Sequence, residues 1–195
     1  MTAKTEITRD DILAMSEYEK VRADRRRSIL PVKKLRRLAV GPDATFYFEN
    51  FDTMWLQIHE MLYIEKGGEE QIADELDAYN PLIPKGGELV ATVMFEIDDP
   101  VRRRRVLGEL GGVEETMVLE VDGERIASEP EADVDRTTAD GKASSVQFVH
   151  FRFTPDQAAK FKTPGTRVVV AIEHPKYPHM TMISEESRAE LASDL

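Results

Sequence analysis

The chain has 195 residues, 41% hydrophobic and 32% charged, the balance of a folded protein with one substantial core rather than of a disordered one. It contains no cysteine, which excludes a disulfide frame, a thiolate nucleophile, a thiolate zinc site and a protein-ligated iron–sulfur cluster. A net charge of −11 opposes non-specific binding to nucleic acid, and no apolar run is long enough to cross a bilayer.

The N-terminus has no apolar export segment, so the chain is expected in the cytoplasm, as one domain over residues 1–195. A charged helical segment, about 8–37, should precede the core. Thr8 and Asp11 read as a capping pair opening a helix from Arg9 to Arg27, and Pro31 is expected to break helix geometry beyond it. Lys20 to Arg37 holds nine Lys or Arg against one Asp, so it carries +8 (9 − 1) and the remainder −19 (−11 − 8).

Gly41-Pro42-Asp43 is a turn before an aromatic strand, Thr45 to Asn50. Asp52 is the expected N-cap of the next helix, in which Phe51, Met54, Trp55, Ile58, Met61 and Leu62 share an arc of about 120°. Gly67-Gly68 stops it, and a second helix runs from Glu69 to about Tyr79. Leu89 to Ile97 alternates as a strand, Asp99 caps a short helix beginning at Pro100, and Asp122-Gly123 suits a type I′ hairpin turn. Glu129 to Ser144 has neither periodicity and reads as a long loop. Val146 to Phe153 is a strand, Pro155 to Lys162 a capped helix, Arg167 to Glu173 and His179 to Ile183 the last strands, and Ser184 the cap of a C-terminal helix. The expected fold is α+β, an antiparallel sheet or small β-sandwich of about seven strands, with the amphipathic helix from Phe51 packed on it and further helices at the periphery.

Without cysteine, imidazoles and carboxylates are the ligands left for a transition metal or a base near neutral pH. His59 lies about 40° beyond Trp55, just outside the apolar arc, which makes it a boundary residue. Glu60 falls on the more exposed side, and Glu49 is placed to fold back towards the helix start. His150 projects from the less apolar face of its strand. His174 and His179 bracket the turn in "HPKYPH", where exposure or local hydrogen bonding is expected. These six residues form a candidate metal set only if the fold makes them converge, since no HExxH or three-histidine spacing links them.

The basic segment offers Arg25, Arg26, Arg27, Lys33, Lys34, Arg36 and Arg37 to an anionic ligand or an acidic partner, and Arg102 to Arg105 add a second run. The plainer alternatives are a solvated helix face or part of a homodimer contact. Asp133, Asp135 and Asp140 lack the ligand order of an EF-hand. No P-loop, GxGxxG turn, GxSxG elbow or kinase signature is present.

"GPDATFYFENFDTMWLQIHEMLYIEKGG", "AYNPLIPKG", "FEIDDP" and "VDRTTADGKASSVQFVHF" together resemble a bacterial domain-of-unknown-function family, DUF3501, over nearly the whole chain. The resemblance implies no catalytic residues. Members are encoded beside rubrerythrin-like and iron–sulfur oxidoreductase proteins, which implies a supporting role in peroxide or redox metabolism. Two readings follow: an accessory protein that docks on an oxidoreductase through its basic segment or an exposed sheet edge, or a His/carboxylate metal-binding enzyme or sensor. Anion or RNA binding through Arg25 to Arg37 is a third.

Overall fold

The computed structural model describes residues 4–131 and 141–195. After a single 3-10 turn at Arg9–Asp11, α1 (Met15–Leu35) leads into β1 (Arg37–Val40) and β2 (Ala44–Phe48), then α2 (Phe51–Glu65) and α3 (Glu69–Tyr79). Next come β3 (Glu88–Phe95), α4 (Pro100–Gly108), β4 (Met117–Val121), β5 (Glu124–Pro130) and β6 (Val146–Arg152). The chain ends with α5 (Pro155–Lys162), β7 (Val168–His174), β8 (Tyr177–Met182) and α6 (Glu185–Leu191).

All eight strands pair antiparallel in the order β1-β2-β3-β6-β5-β4-β7-β8. β5 turns the corner: Glu124 to Ala127 pair with β4, and Ser128 to Pro130 pair with β6. It therefore belongs to a five-strand half with β1, β2, β3 and β6, and to a four-strand half with β4, β7 and β8. The β4–β5 hairpin turns on Asp122 and Gly123, both at positive φ (49° and 84°), as a type I′ turn demands. The expected α+β architecture is thus found, with an eighth strand, β1, between the end of the basic segment and the Gly41-Pro42-Asp43 turn.

The two halves curl around one core. Phe46 and Phe48 from β2, Leu89, Val93 and Phe95 from β3, Phe151 from β6, Leu119 from β4 and Val170 from β7 all point into it, each almost wholly buried. Burying such a side chain contributes about 1.5–3 kcal/mol, so these residues dominate the favourable side of folding. Phe161 of α5, Leu107 of α4 and Leu191 of α6 join the same cluster.

The curl brings β8 back beside β1, and side chains close the seam. Tyr177 Oη accepts from the N–H groups of Asp43 (2.8 Å) and Ala44 (2.9 Å) and donates to the carbonyl of Val40 (2.9 Å). Thr181 Oγ1 donates to the carbonyl of Ala39 at 2.6 Å. Gly41 turns here at φ +72°, and a Cβ on it would lie 2.5 Å from the His179 ring, so both backbone conformation and space call for glycine.

α2 packs on the outer face of the sheet. Met54, Ile58 and Leu62 form a second core cluster with Val90 of β3, Phe148 of β6, and Ile7 and Ile12 of the N-terminal segment. Strand β3 is therefore buried on both faces. The N-cap of α2 is Asn50, not Asp52: its side chain accepts from Thr53 N and its N–H donates to Thr53 Oγ1, each at 2.9 Å.

Pro31 does not end α1. The helix starts later than expected, at Met15, and runs through Pro31 to Leu35. A proline removes one N–H and frees one carbonyl, that of Arg27, and both residues are exposed to water here. Ile29 and Val32, packed against α2 on either side of the proline, hold the helix in place. Thr8 and Asp11 cap the preceding 3-10 turn instead, the Asp11 carboxylate accepting from Thr8 N and Oγ1 at 3.0 Å. The expected loop after Glu129 begins later, since Glu129 and Pro130 belong to β5, and Asp133, Asp135 and Asp140 lie outside the described residues.

Candidate functional site

The α1 helix meets α2 along one stripe. At 100° per residue, Tyr18, Arg22, Arg25, Ile29 and Val32 fall within about 80°, and this is the inward face. Tyr18 is fully buried and its Oη donates to Glu60 Oε1 at 2.7 Å; Arg22 grips both oxygens of the same carboxylate, at 2.7 Å each. The Arg22 fork holds Glu60 down at a pKa of about 2, against the opposing effect of burial and with help from the Tyr18 hydroxyl. Glu60 is thus a structural anion of the helix pair rather than a free ligand. Arg25 completes the stripe with its guanidinium 5.0 Å from the centre of the Trp55 ring.

The opposite face is bare. Ala23, Arg26, Arg27, Leu30 and Lys34 fall within about 100° of one another and are all exposed. Leu30 is 62% exposed. Arg26 and Lys34 make no hydrogen bond or ion pair among the described residues, and Arg27 meets only the exposed Asp24 beside it, at 3.2 Å. Leu30 thus stands exposed among cations, two of which, Arg26 and Lys34, have no hydrogen-bond or ion-pair partner among the described residues. Leu30 lies about 120° round the helix from Tyr18, out of phase with the inward stripe.

Not every cation of the segment belongs to this face. Arg36 is 1% exposed and works inside the protein, which corrects its assignment to an anion-binding surface. Its Nε donates to the Phe48 carbonyl and its Nη2 to the Glu49 carbonyl, each at 3.0 Å, while the guanidinium pairs with Glu190 and Asp194. It therefore ties the end of β2 to the C-terminal turn. Arg37 pairs with Glu96 at 3.3 Å. In the second basic run, Arg102 reaches Asp43 at 2.7 Å and Arg103 the Ile97 carbonyl at 3.1 Å.

The six imidazole and carboxylate candidates do not converge on one point, although His59 and Glu60 both meet Tyr18. His59 is wholly buried, which overturns its expected place at the border. It stacks 3.8 Å from Trp55 and 4.8 Å from Tyr18, centroid to centroid, because α1 and the N-terminal segment cover the flank that α2 alone would expose. Glu49 does fold back to the helix start, accepting from Thr53 Oγ1 at 2.7 Å and from Thr92 Oγ1 at 2.8 Å. Burial raises its pKa, against those two hydrogen bonds. His174 accepts from Lys176 N at 3.2 Å, the local bond expected at its turn. His179 lies in β8 with its ring 4.4 Å from that of Tyr177.

His150 sits between two carboxylates, Nδ1 3.1 Å from Glu88 and Nε2 2.8 Å from Glu131. These hydrogen bonds, that to Glu88 foremost, raise its pKa against the effect of burial. Because the carboxylates lie at opposite ring nitrogens, their oxygens and the imidazole cannot meet at one metal ion. Among the described residues no group of three or more His, Asp or Glu side chains is placed to hold one. No described helix is long and apolar enough to cross a membrane.

A cleft of about 830 Å³ opens between the start of α2, the chain before β3 and the C-terminus, floored by Val32, Phe51, Ile83 and Pro84. Its cations are engaged internally: Lys85 Nζ donates to the carbonyls of Thr5 and Asn80, and Lys4 pairs with Asp11.

Comparison with known proteins gives one family and one fold. Residues 6–195 match a family described as protein of unknown function (DUF3501). The chain is similar to a crystal structure described as a novel protein of unknown function from Burkholderia pseudomallei K96243, at 36% identity and a TM-score of 0.89, with 100% of each chain covered. No curated protein matches.

Proposed function

The chain belongs to the DUF3501 family, and for this member we propose an accessory role: the outer face of α1 docks an acidic surface of an oxidoreductase partner. Exposed Leu30, ringed by Arg26, Arg27 and Lys34, carries the reading. The cations would steer a negatively charged partner to the helix, and burial of Leu30 would supply the contact that holds it. The inward face favours such a role, because the Tyr18, Arg22 and Arg25 contacts present α1 as a preorganised helix, so little ordering cost is added on binding. The choice of an oxidoreductase rests on the family resemblance, which implies rubrerythrin-like and iron–sulfur oxidoreductase proteins as companions. A cysteine-free chain could serve such a system as a partner of its thiol or cluster centre.

Calorimetric titration of the purified chain into each neighbouring oxidoreductase, at low and at high salt, tests this. Binding should weaken with salt. The triple charge reversal R26E/R27E/K34E should weaken it further, and Leu30→Glu should cost on the order of thirtyfold in affinity, as for an interface hot spot of about 2 kcal/mol. No binding at low salt, or affinity indifferent to these substitutions, would overturn the proposal.

A further inference from the structure

His150 stands on β6 with a carboxylate at each ring nitrogen: Glu88 of β3 at Nδ1, and Glu131, just past the end of β5, at Nε2. Ionised carboxylates only accept, so both contacts are hydrogen bonds only when both nitrogens carry protons. A neutral ring has one N–H and must turn a lone pair towards one of the two. The surrounding groups make that choice one-sided. Glu88, its side chain 4% exposed, is also held by the Lys85 N–H at 3.0 Å and by Arg152 of β6 at 3.4 Å. Glu131 is 23% exposed, and among the described residues His150 alone bonds its carboxylate. The Lys85 ammonium is turned to the carbonyls of Thr5 and Asn80, and Glu129 is paired with Arg152. When the ring loses a proton, Glu131 is therefore the carboxylate that loses its bond and turns to water.

That bond lies where the sheet turns its corner. β5 joins β6 through only three register pairs, Ser128 to Phe151, Glu129 to His150 and Pro130 to Val149, and Pro130 has no N–H to give. One further main-chain bond, from Glu131 N to the Phe148 carbonyl at 3.0 Å, ends the ladder. Two side-chain ties reinforce this short join. Arg152 to Glu129 is a pair of exposed groups, which water screens; His150 to Glu131 is more buried and depends on a proton.

We propose that His150 is a proton-operated latch: as an imidazolium it ties the end of β5 to the sheet through Glu131, and on deprotonation it releases that carboxylate and lets the Glu131 end of the ladder open. Glu88 first, and then Glu131, raise the His150 pKa above its usual 6.5 against the effect of burial. The latch is thus closed at pH 6.5 and opens as pH rises through the raised value. It involves no residue of α1, so it and the docking proposed above stand or fall separately.

Long-range proton–nitrogen NMR of the His150 ring, assigned against His150→Gln, should show both nitrogens protonated at pH 6.5. Amide exchange at Glu131 should lose about tenfold in protection as the ring titrates, the weight of one hydrogen bond, while amides at the centre of β3 keep theirs. Glu131→Gln separates a latch from an ordinary contact. A glutamine amide can donate to the bare Nε2 of a neutral ring as well as accept from a charged one, so this variant should keep its protection where wild type loses it. A ring that is neutral at pH 6.5, protection at Glu131 that ignores the titration, or a Glu131→Gln variant that opens together with wild type overturns the proposal.

Discussion

The main-chain N–H of Leu13 donates to Nε2 of His59 at 3.1 Å, while Nδ1 of the same ring lies 2.7 Å from the carbonyl of Trp55. A ring that accepts at Nε2 and meets a carbonyl at Nδ1 is neutral, with its proton on Nδ1. His59 therefore pegs the segment leading into α1 onto α2, and Trp55 assists by donating from Nε1 to the Asp11 carbonyl at 2.8 Å.

Acid should loosen that peg. Burial lowers the His59 pKa below its usual 6.5, with the Trp55 carbonyl opposing. Between the lowered value and 6.5 the unfolded chain binds more protons than the folded one, so stability falls as pH drops through that window, by at most about 1.4 kcal/mol per pH unit. Thermal melts across this range should show the slope in wild type and lose it in His59→Leu. That variant should also be less stable at neutral pH by about 1–3 kcal/mol, because Leu13 N–H loses its acceptor.

The other buried histidine should respond with the opposite sign. The Glu88 and Glu131 carboxylates raise the His150 pKa above 6.5, so here the folded chain holds the extra proton. Its contribution is complete below 6.5 and disappears as pH rises through the raised value. Denaturant titrations of wild type and His150→Gln should converge towards alkaline pH and separate as pH falls through the raised value, the gap reaching its full size below 6.5. Arg152, 3.4 Å from Glu88 and 2.7 Å from Glu129, shares the cluster and remains charged throughout.

The seam between β1 and β8 depends on one hydroxyl. Tyr177→Phe keeps the ring but leaves the Asp43 and Ala44 N–H groups and the Val40 carbonyl without it. Stability should fall by about 2–4 kcal/mol, more than one ordinary hydrogen bond, since each buried group left unmade adds its own penalty. Chemical denaturation measures this, and faster amide exchange at Asp43 and Ala44 would place the loss at the seam.

Much of the fold was legible because its signals are local. Asp122-Gly123 requires only two residues that tolerate positive φ, and Thr154-Pro155-Asp156-Gln157 caps a helix whose observed bounds, Pro155–Lys162, are those read from the chain. The strand β1 was hidden because only Leu38, Ala39 and Val40 separate the end of the charge run at Arg37 from the turn at Gly41, and its pairing with β2 is fixed by residues ten or fewer positions away that give no periodic signal in so short a piece. The candidate site was legible only in part: the basic segment stood out, but neither the inward turn of Arg36 nor the outward turn of Leu30 did.

From its order of residues alone, this protein has its class, nearly all its elements and its lack of thiol chemistry, since alternation, caps, turns and composition act within a few residues of themselves. Tertiary structure alone decided which polar groups are sealed and which are offered. His59 is buried because residues forty-six positions earlier fold over it, and Arg36 because the C-terminus supplies its carboxylates, over a hundred and fifty positions away. Burial is set by whatever else arrives at a surface, and no local pattern records what arrives.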